Sequence, residues 1–168
     1  GGHPDYAHAA KWLTKAAEHG NADAQAGLAE LYEAGQGVKQ NYGEAASWYR
    51  KAAEQGNRGG AYGLAVLYAF GRGVPVNDKE AAKWYLQAAQ KGEPLAQYNI
   101  GQRYLKGRGV AADPVEAYKW FSVAAPEVTD AATARDELGR KLSREQIEEA
   151  RRRIESFKSA SSQPVRAK

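Results

Sequence analysis

Apolar and small residues return along this chain with two superimposed periods. Within short stretches they fall at i, i+3, i+4, i+7 and i+8, the spacing that gathers side chains onto one face of an α-helix. Three stretches show it in full: Ala45, Trp48, Tyr49, Ala52 and Ala53; Ala81, Trp84, Tyr85, Ala88 and Ala89; Ala117, Trp120, Phe121, Ala124 and Ala125. The whole set then recurs every 36 residues, most plainly in Trp12, Trp48, Trp84 and Trp120. A fixed period of this length is the signature of a stacked array, in which each unit buries its apolar face against its neighbours.

Polar residues and glycines mark where the helices begin and end. Asp5, Asn41, Asn77 and Asp113 precede the tryptophan helix, here called helix B, and Glu44, Glu80 and Glu116 follow three residues after the last three of them. That spacing predicts a capping box, the first side chain accepting a backbone N–H and the Glu reaching back to the cap. Pro114 suits the first helical position, where a missing N–H costs nothing. Gly20, Gly56 and Gly92 close helix B in the left-handed conformation. A second helix, A, is predicted over 22–34, 58–70 and 94–106, marked by Ala24, Leu28, Leu31 and Tyr32, by Leu64, Leu67 and Tyr68, and more loosely by Ala96, Ile100 and Tyr104. Each A helix stops at a glycine, in the loops Gly35-Gln36-Gly37-Val38, Gly71-Arg72-Gly73-Val74 and Gly107-Arg108-Gly109-Val110. The expected core is Trp12, Trp48, Trp84 and Trp120 with Leu28, Leu64, Tyr32, Tyr68 and Tyr104.

Pro126 ends the array, and no glycine returns at 128. Two unlike helices are predicted beyond it. One runs over about 130–141 with Ala131, Ala134, Leu138 and Leu142 on one face; the other is opened by Ser143 and Gln146 as a capping box and carries Ile147, Ala150, Ile154 and Phe157. An array needs such a last element with one polar face. Residues 159–168 have nothing to bury and are expected to form a flexible tail or linker.

Taken together, Ala-x-x-Leu/Ile-Ala/Gly-x-x-Tyr-x-x-Gly-x-Gly-Val followed by Glu-Ala-x-x-Trp-Tyr/Phe-x-x-Ala-Ala resembles the Sel1-like repeat, a relative of the tetratricopeptide repeat. The resemblance implies an all-α fold, an α/α superhelical solenoid with a C-terminal helical cap. It divides the chain into a partial repeat of helix B alone at 5–20, repeats at 21–56, 57–92 and 93–125, and capping helices at 130–158. Three positions depart from the pattern: Asn99 stands where Gly27 and Gly63 stand, Arg103 where Leu31 and Leu67 stand, and Pro126 where Gln90 stands.

Composition removes several function classes. A chain of 168 residues with 43% hydrophobic content can bury a real core. Its net charge of +4 is spread evenly, so no basic face gathers the phosphate contacts that nucleic-acid binding needs. Cysteine is absent, which excludes a disulfide framework and thiolate metal sites. Methionine is absent too and the chain opens Gly1-Gly2-His3, so it is expected to be a piece of a longer product. No apolar run approaches the roughly 20 residues that span a bilayer.

Candidate chemistry is sparse. His8 and His19 lie 11 residues apart on one predicted helix, about 16 Å, and with His3 they supply no shared metal site. The Gly-x-Gly loops lie between helices without a preceding strand, which favours turn chemistry over a phosphate cradle. Glu44, Glu80 and Glu116 are assigned to capping, and Arg151, Arg152 and Arg153 to a solvated face paired with Glu148, Glu149 and Glu155. Nothing marks a nucleophile, so neither an enzyme, a cofactor nor a metal is expected.

The resemblance implies a scaffold or adaptor for protein–protein interaction, in bacteria often in the cell envelope, where relatives organise poles, polysaccharide export or signalling. It implies a periplasmic or extracytoplasmic setting and a protein or peptide partner. Two other readings are an envelope glycan or peptidoglycan module, which the aromatic residues allow, and an enzyme-associated domain like a cysteine-rich, β-lactam-binding subset of the family, whose cysteines this chain lacks. In tetratricopeptide arrays helix A lines the concave groove. Transferring those columns gives Asp23, Ala26, Glu30, Glu33 and Ala34 in the first copy, Gly59, Tyr62, Val66, Ala69 and Phe70 in the second, and Leu95, Tyr98, Gln102, Leu105 and Lys106 in the third. The expected partner is a segment with apolar anchors, meeting Tyr62, Phe70 and Tyr98, and a basic end for the acidic first copy.

Overall fold

A computed structural model of the chain describes residues 5–161. Helices α1 (Tyr6–Glu18), α3 (Tyr42–Glu54), α5 (Asp78–Gln90) and α7 (Pro114–Ala124) are the B helices, and α2 (Ala22–Ala34), α4 (Arg58–Phe70) and α6 (Pro94–Lys106) the A helices. Two further helices, α8 (Thr129–Gly139) and α9 (Arg144–Ser161), complete the described part, which contains no strand. Helices α3 and α5 each pack on the A helix before and the A helix after, α1 packs on α2 and α7 on α6, which is the path of an α/α solenoid. Among the inner neighbours α2 lies directly on α4, whereas α4 and α6 barely touch.

The alanines on the B helices make this stacking possible. Ala45, Ala52, Ala53, Ala81, Ala88, Ala89 and Ala117 are fully buried, and their small side chains let a neighbouring backbone come close. Beside them Tyr49 and Tyr85 fill the space between successive A helices, and Phe121 that between α6 and α8. Gly63 shows how tight the grip is: a Cβ there would lie 2.5 Å from the Tyr49 ring.

The caps differ from expectation in an instructive way. Asn41, Asn77 and Asp113 accept the backbone N–H groups two and three residues on, and Asp5 accepts from His8, as predicted. The reciprocal half of the box is not made at these helices. The cap N–H of Asn41, Asn77 and Asp113 donates instead to the carbonyl of Tyr32, Tyr68 and Tyr104 at 2.9–3.0 Å, and two of the Glu carboxylates serve elsewhere. Glu80 accepts from Trp84 Nε1 at 3.1 Å, and Glu116 pairs with Lys119 and Arg153. A full capping box does form at α9, where Ser143 N donates to Gln146 Oε1 and Gln146 N to Ser143 Oγ.

The second glycine of each Gly-x-Gly loop has a role beyond the turn. Gly73 has φ +69°, and a Cβ on it would fall 2.3 Å from the Tyr42 carbonyl carbon of the preceding copy. Gly37 and Gly109 meet Tyr6 and Asp78 in the same manner. These loops are contacts between copies, and two physical demands meet at one residue.

The tryptophans are not equivalent, which corrects the expectation that all four are core. Trp120 and Trp84 are 1% and 5% exposed, Trp48 is half-buried, and Trp12 is 63% exposed. Trp48 packs on Ala17, Ala24 and Leu28 of α1 and α2, the helices before its own. No helix precedes α1 among the described residues, so the Trp12 ring lies open, its Nε1 donating to His8 at 2.9 Å. Leu28 and Leu64 are fully buried as expected, while Tyr32, Tyr68 and Tyr104 are half-buried at the edge of the same core.

At the other end α9 caps the array by lying across α7. Phe157 meets Trp120 edge-on at 5.1 Å, and Arg153 bridges Asp113 and Glu116 at 2.9 and 3.0 Å. Arg153 is therefore not part of a self-paired solvated face: besides Glu149 on its own helix it holds two carboxylates of α7. Because Glu116 is engaged this way, Trp120 Nε1 is left buried without an acceptor. Helix α9 continues through Ser161, so the first three residues of the expected tail are helical, and 162–168 lie outside the described residues.

Candidate partner-binding groove

The columns assigned to the groove lie on α2, α4 and α6, and the structure leaves most of them accessible. Asp23, Glu30, Phe70, Leu95, Leu105 and Lys106 are exposed; Glu33, Tyr62, Val66, Tyr98 and Gln102 are half-buried. Ala26 is the departure, buried in the core. Phe70 stands 66% exposed at the C-terminal end of α4 with the Arg72 guanidinium over its ring, so it is presented rather than packed away.

Tyr62 and Tyr98 have a different setting. Tyr62 rests on Tyr85 with ring centroids 5.9 Å apart, and Tyr98 on Phe121 at 5.8 Å. Each inner aromatic is backed by the B-helix aromatic of its own copy, which holds the ring in place. A pre-positioned ring loses little freedom on binding. Burial, then the nearby Glu93 and Glu33, raise the Tyr62 hydroxyl above its ordinary pKa, and burial beside Tyr62 pushes Tyr85 up to about 12. Both stay neutral donors throughout the physiological range.

Charge divides along the groove. In the first copy Tyr49 donates to Glu33 at 2.8 Å, and burial with the adjacent Glu33 raises Glu30 above its ordinary value. That end carries closely spaced acids and favours a cation. In the third copy the sign reverses. A pocket of about 330 Å³ opens between α4 and α6, lined by Phe70, Tyr85, Tyr98, Asn99, Gln102, Arg103, Lys106 and Arg108 among others. Of these, Phe70, Tyr98, Gln102 and Lys106 were expected groove residues; Tyr85, Asn99, Arg103 and Arg108 were not. The one signal the sequence held for Asn99 and Arg103 was their departure from the repeat.

Among the described residues no group of three His, Cys, Asp or Glu side chains is gathered that could hold a metal ion. His8 is engaged by Trp12 and His19 by the Lys15 carbonyl, and His3 lies outside the described residues. No described helix is long and apolar enough to cross a membrane.

The family model of the Sel1 repeat matches residues 1–21, 22–57, 59–93 and 94–125, most of the chain and in register with the helix pairs. The chain belongs to the Sel1 repeat family. Among solved structures, the Sel1 repeat protein from Oxalobacter formigenes is 39% identical with a TM-score of 0.68, over 74% of this chain and 51% of that one. A second, c5321, described as a protective antigen present in uropathogenic Escherichia coli strains and displaying an SLR fold, is 27% identical with a TM-score of 0.66, over 95% of this chain and 44% of its own. This Sel1 repeat chain thus spans about half the length of these structures. No curated protein sequence matches it. Sel1 repeats generally mediate protein–protein interaction and are generally non-catalytic scaffolds.

Proposed function

We propose that this Sel1 repeat array is an interaction scaffold or adaptor of a bacterial cell envelope, holding an extended segment of a partner protein along the inner face of α2, α4 and α6. The observation that carries the reading is the exposure of large apolar residues on that face: Phe70, Leu95 and Leu105 are 66%, 46% and 39% exposed, and all three lie in the groove columns. Isolated exposed apolar residues need no explanation, but a row of them beside two backed tyrosines makes a ligand surface. The envelope setting draws on the family's bacterial members and on the neighbour described as a protective antigen, a description that suits a protein outside the cytoplasm.

Peptides selected on the protein from a random display library supply a ligand for the test. A Tyr62→Ala/Tyr98→Ala variant that keeps the wild-type helical signal is expected to lose at least about 2 kcal/mol of affinity for them, roughly 30-fold. Undiminished binding would move the site off the inner face.

A further inference from the structure

Asn99 and Arg103 both depart from the repeat, and both line the same pocket. The first departure puts a side chain on the pocket wall where the other copies have glycine. Gly63 lets α4 close onto Tyr49, since even a Cβ there would touch the ring at 2.5 Å. Asn99 stands at the equivalent position, its Nδ2 donating to the Leu95 carbonyl at 2.8 Å, and with Tyr85 it lines the pocket that opens where α4 and α6 barely touch. The second departure furnishes the pocket with charge. Leu31 and Leu67 fill this column with buried apolar volume, whereas Arg103, 7% exposed, places a guanidinium 5.4 Å from the centre of the Tyr85 ring.

Arg103 has a structural partner, but only for one nitrogen. Its Nη1 donates to Asp78 Oδ1 at 2.8 Å and to the Asp78 and Arg108 carbonyls at 3.3 Å, tying the third copy to the second. Its Nε and Nη2 have no hydrogen-bond partner among the described residues, and they are not sealed in the interior, for the one sealed side-chain nitrogen without a partner is Trp120 Nε1. Nε and Nη2 form one edge of the guanidinium, the two-pronged edge whose spacing matches the two oxygens of a carboxylate. Lys106 and Arg108 stand at the rim, and none of the described residues lining the pocket is acidic.

From this we infer that the Arg103 pocket takes the side-chain carboxylate of an Asp or Glu in the bound segment. The inference rests on the groove reading above and adds the partner's chemistry. A side chain is favoured over a chain end because groove residues lie on both sides of the pocket, Tyr62 and Val66 toward the second copy and Leu105 beyond, so the segment passes through. The full recognition pattern is a basic residue over Glu30 and Glu33, an apolar side chain on Tyr62 and Phe70, and an acid in the pocket.

The test is a cycle of protein and peptide changes. Random peptides displayed with both ends fused, so that no free terminus competes, are selected on the wild-type protein, and each acid is replaced by its amide. The protein change is Arg103→Leu, which restores the residue of the other copies and is expected to keep the helical melt. Expected is an acid at fixed spacing from an apolar residue, with Glu→Gln weakening binding to wild type roughly tenfold or more and binding to Arg103→Leu less than threefold. The Glu→Gln comparison on wild type stands even if that variant is unstable. Peptides that depend on Tyr62 and Tyr98 but show no acid preference, or an equal Glu→Gln loss on both proteins, would overturn the carboxylate pocket and leave the groove. Absence of any peptide that depends on Tyr62 and Tyr98 would overturn both.

Discussion

Replacing Trp84 and Trp12 by alanine, one at a time, measures what position in the array is worth. The two residues occupy the same column, yet Trp84 is 5% exposed and Trp12 63%. A tryptophan side chain presents about 200 Å² to bury, and at about 25 cal/mol per Å² complete burial is worth about 5 kcal/mol. Scaling by exposure leaves roughly 2 kcal/mol or less for Trp12, whose ring meets little but His8 and the Lys15 ammonium 5.5 Å from its centre. Trp84→Ala also loses the hydrogen bond to Glu80 and opens a cavity between copies, so its cost is set at about 3–5 kcal/mol. For a chain of this size that is a fall in melting temperature of about 6–20 °C, against no more than several degrees for Trp12→Ala. Circular dichroism at the helical band, followed through heat and urea, reads both. Equal losses would refute the argument that the helix before each copy, rather than the residue type, makes its tryptophan core.

Two further substitutions test the contacts between copies. Gly73→Ala combines a strained positive φ with a backbone collision and is expected to cost roughly 3 kcal/mol or more, whereas Gly20→Ala, with φ +87° and nothing within 4 Å, is expected to cost only the strain, about 1–2 kcal/mol; matching urea midpoints would contradict the close-approach role. Burial alone would raise the Asp113 carboxyl, but hydrogen bonds from Arg153 and from the Glu116 and Val115 N–H groups outweigh it and hold its pKa below the ordinary value. A lowered native pKa gives stability that is present above the unfolded carboxylate value near 4 and disappears as pH falls through the native one. The stability gap between wild type and Arg153→Gln is therefore expected to be widest above about pH 4 and to close in acid; a gap of constant size down to pH 2 would show that Arg153 does not act through Asp113.

Local order was the most legible part of the sequence. The three A helices occupy 22–34, 58–70 and 94–106, because their boundaries are set by glycines and caps within the chain's own neighbourhood. What could not be read was anything set between copies. The Glu of each supposed capping box is three residues from its cap in sequence, but the cap N–H is taken by a tyrosine carbonyl nine residues back, a partner supplied by the folded turn. Trp12 repeats the motif and fails to bury, since periodicity reports the helix face and not whether a neighbour covers it. Arg153 was paired with acids on its own helix because those alone are visible in one dimension; α7 brings two more. The exposure of Phe70, Leu95 and Leu105 agrees with the columns transferred from tetratricopeptide arrays, a likeness of family rather than a reading of this chain's own period. The Arg103 pocket was not legible, although Asn99 and Arg103 on its wall were visible as breaks in the repeat.

The inner-face site is tested most directly by backbone amide chemical shifts of ¹⁵N-labelled protein titrated with a library-selected peptide. The expected result is saturable shifts concentrated on the inner positions of α2, α4 and α6, from Glu30 and Glu33 through Tyr62 and Phe70 to Tyr98 and Arg103, with α1 and the outer faces of α3 and α5 unmoved. Shifts confined to the outer faces of the B helices or to α9, with α4 and α6 silent, would contradict it.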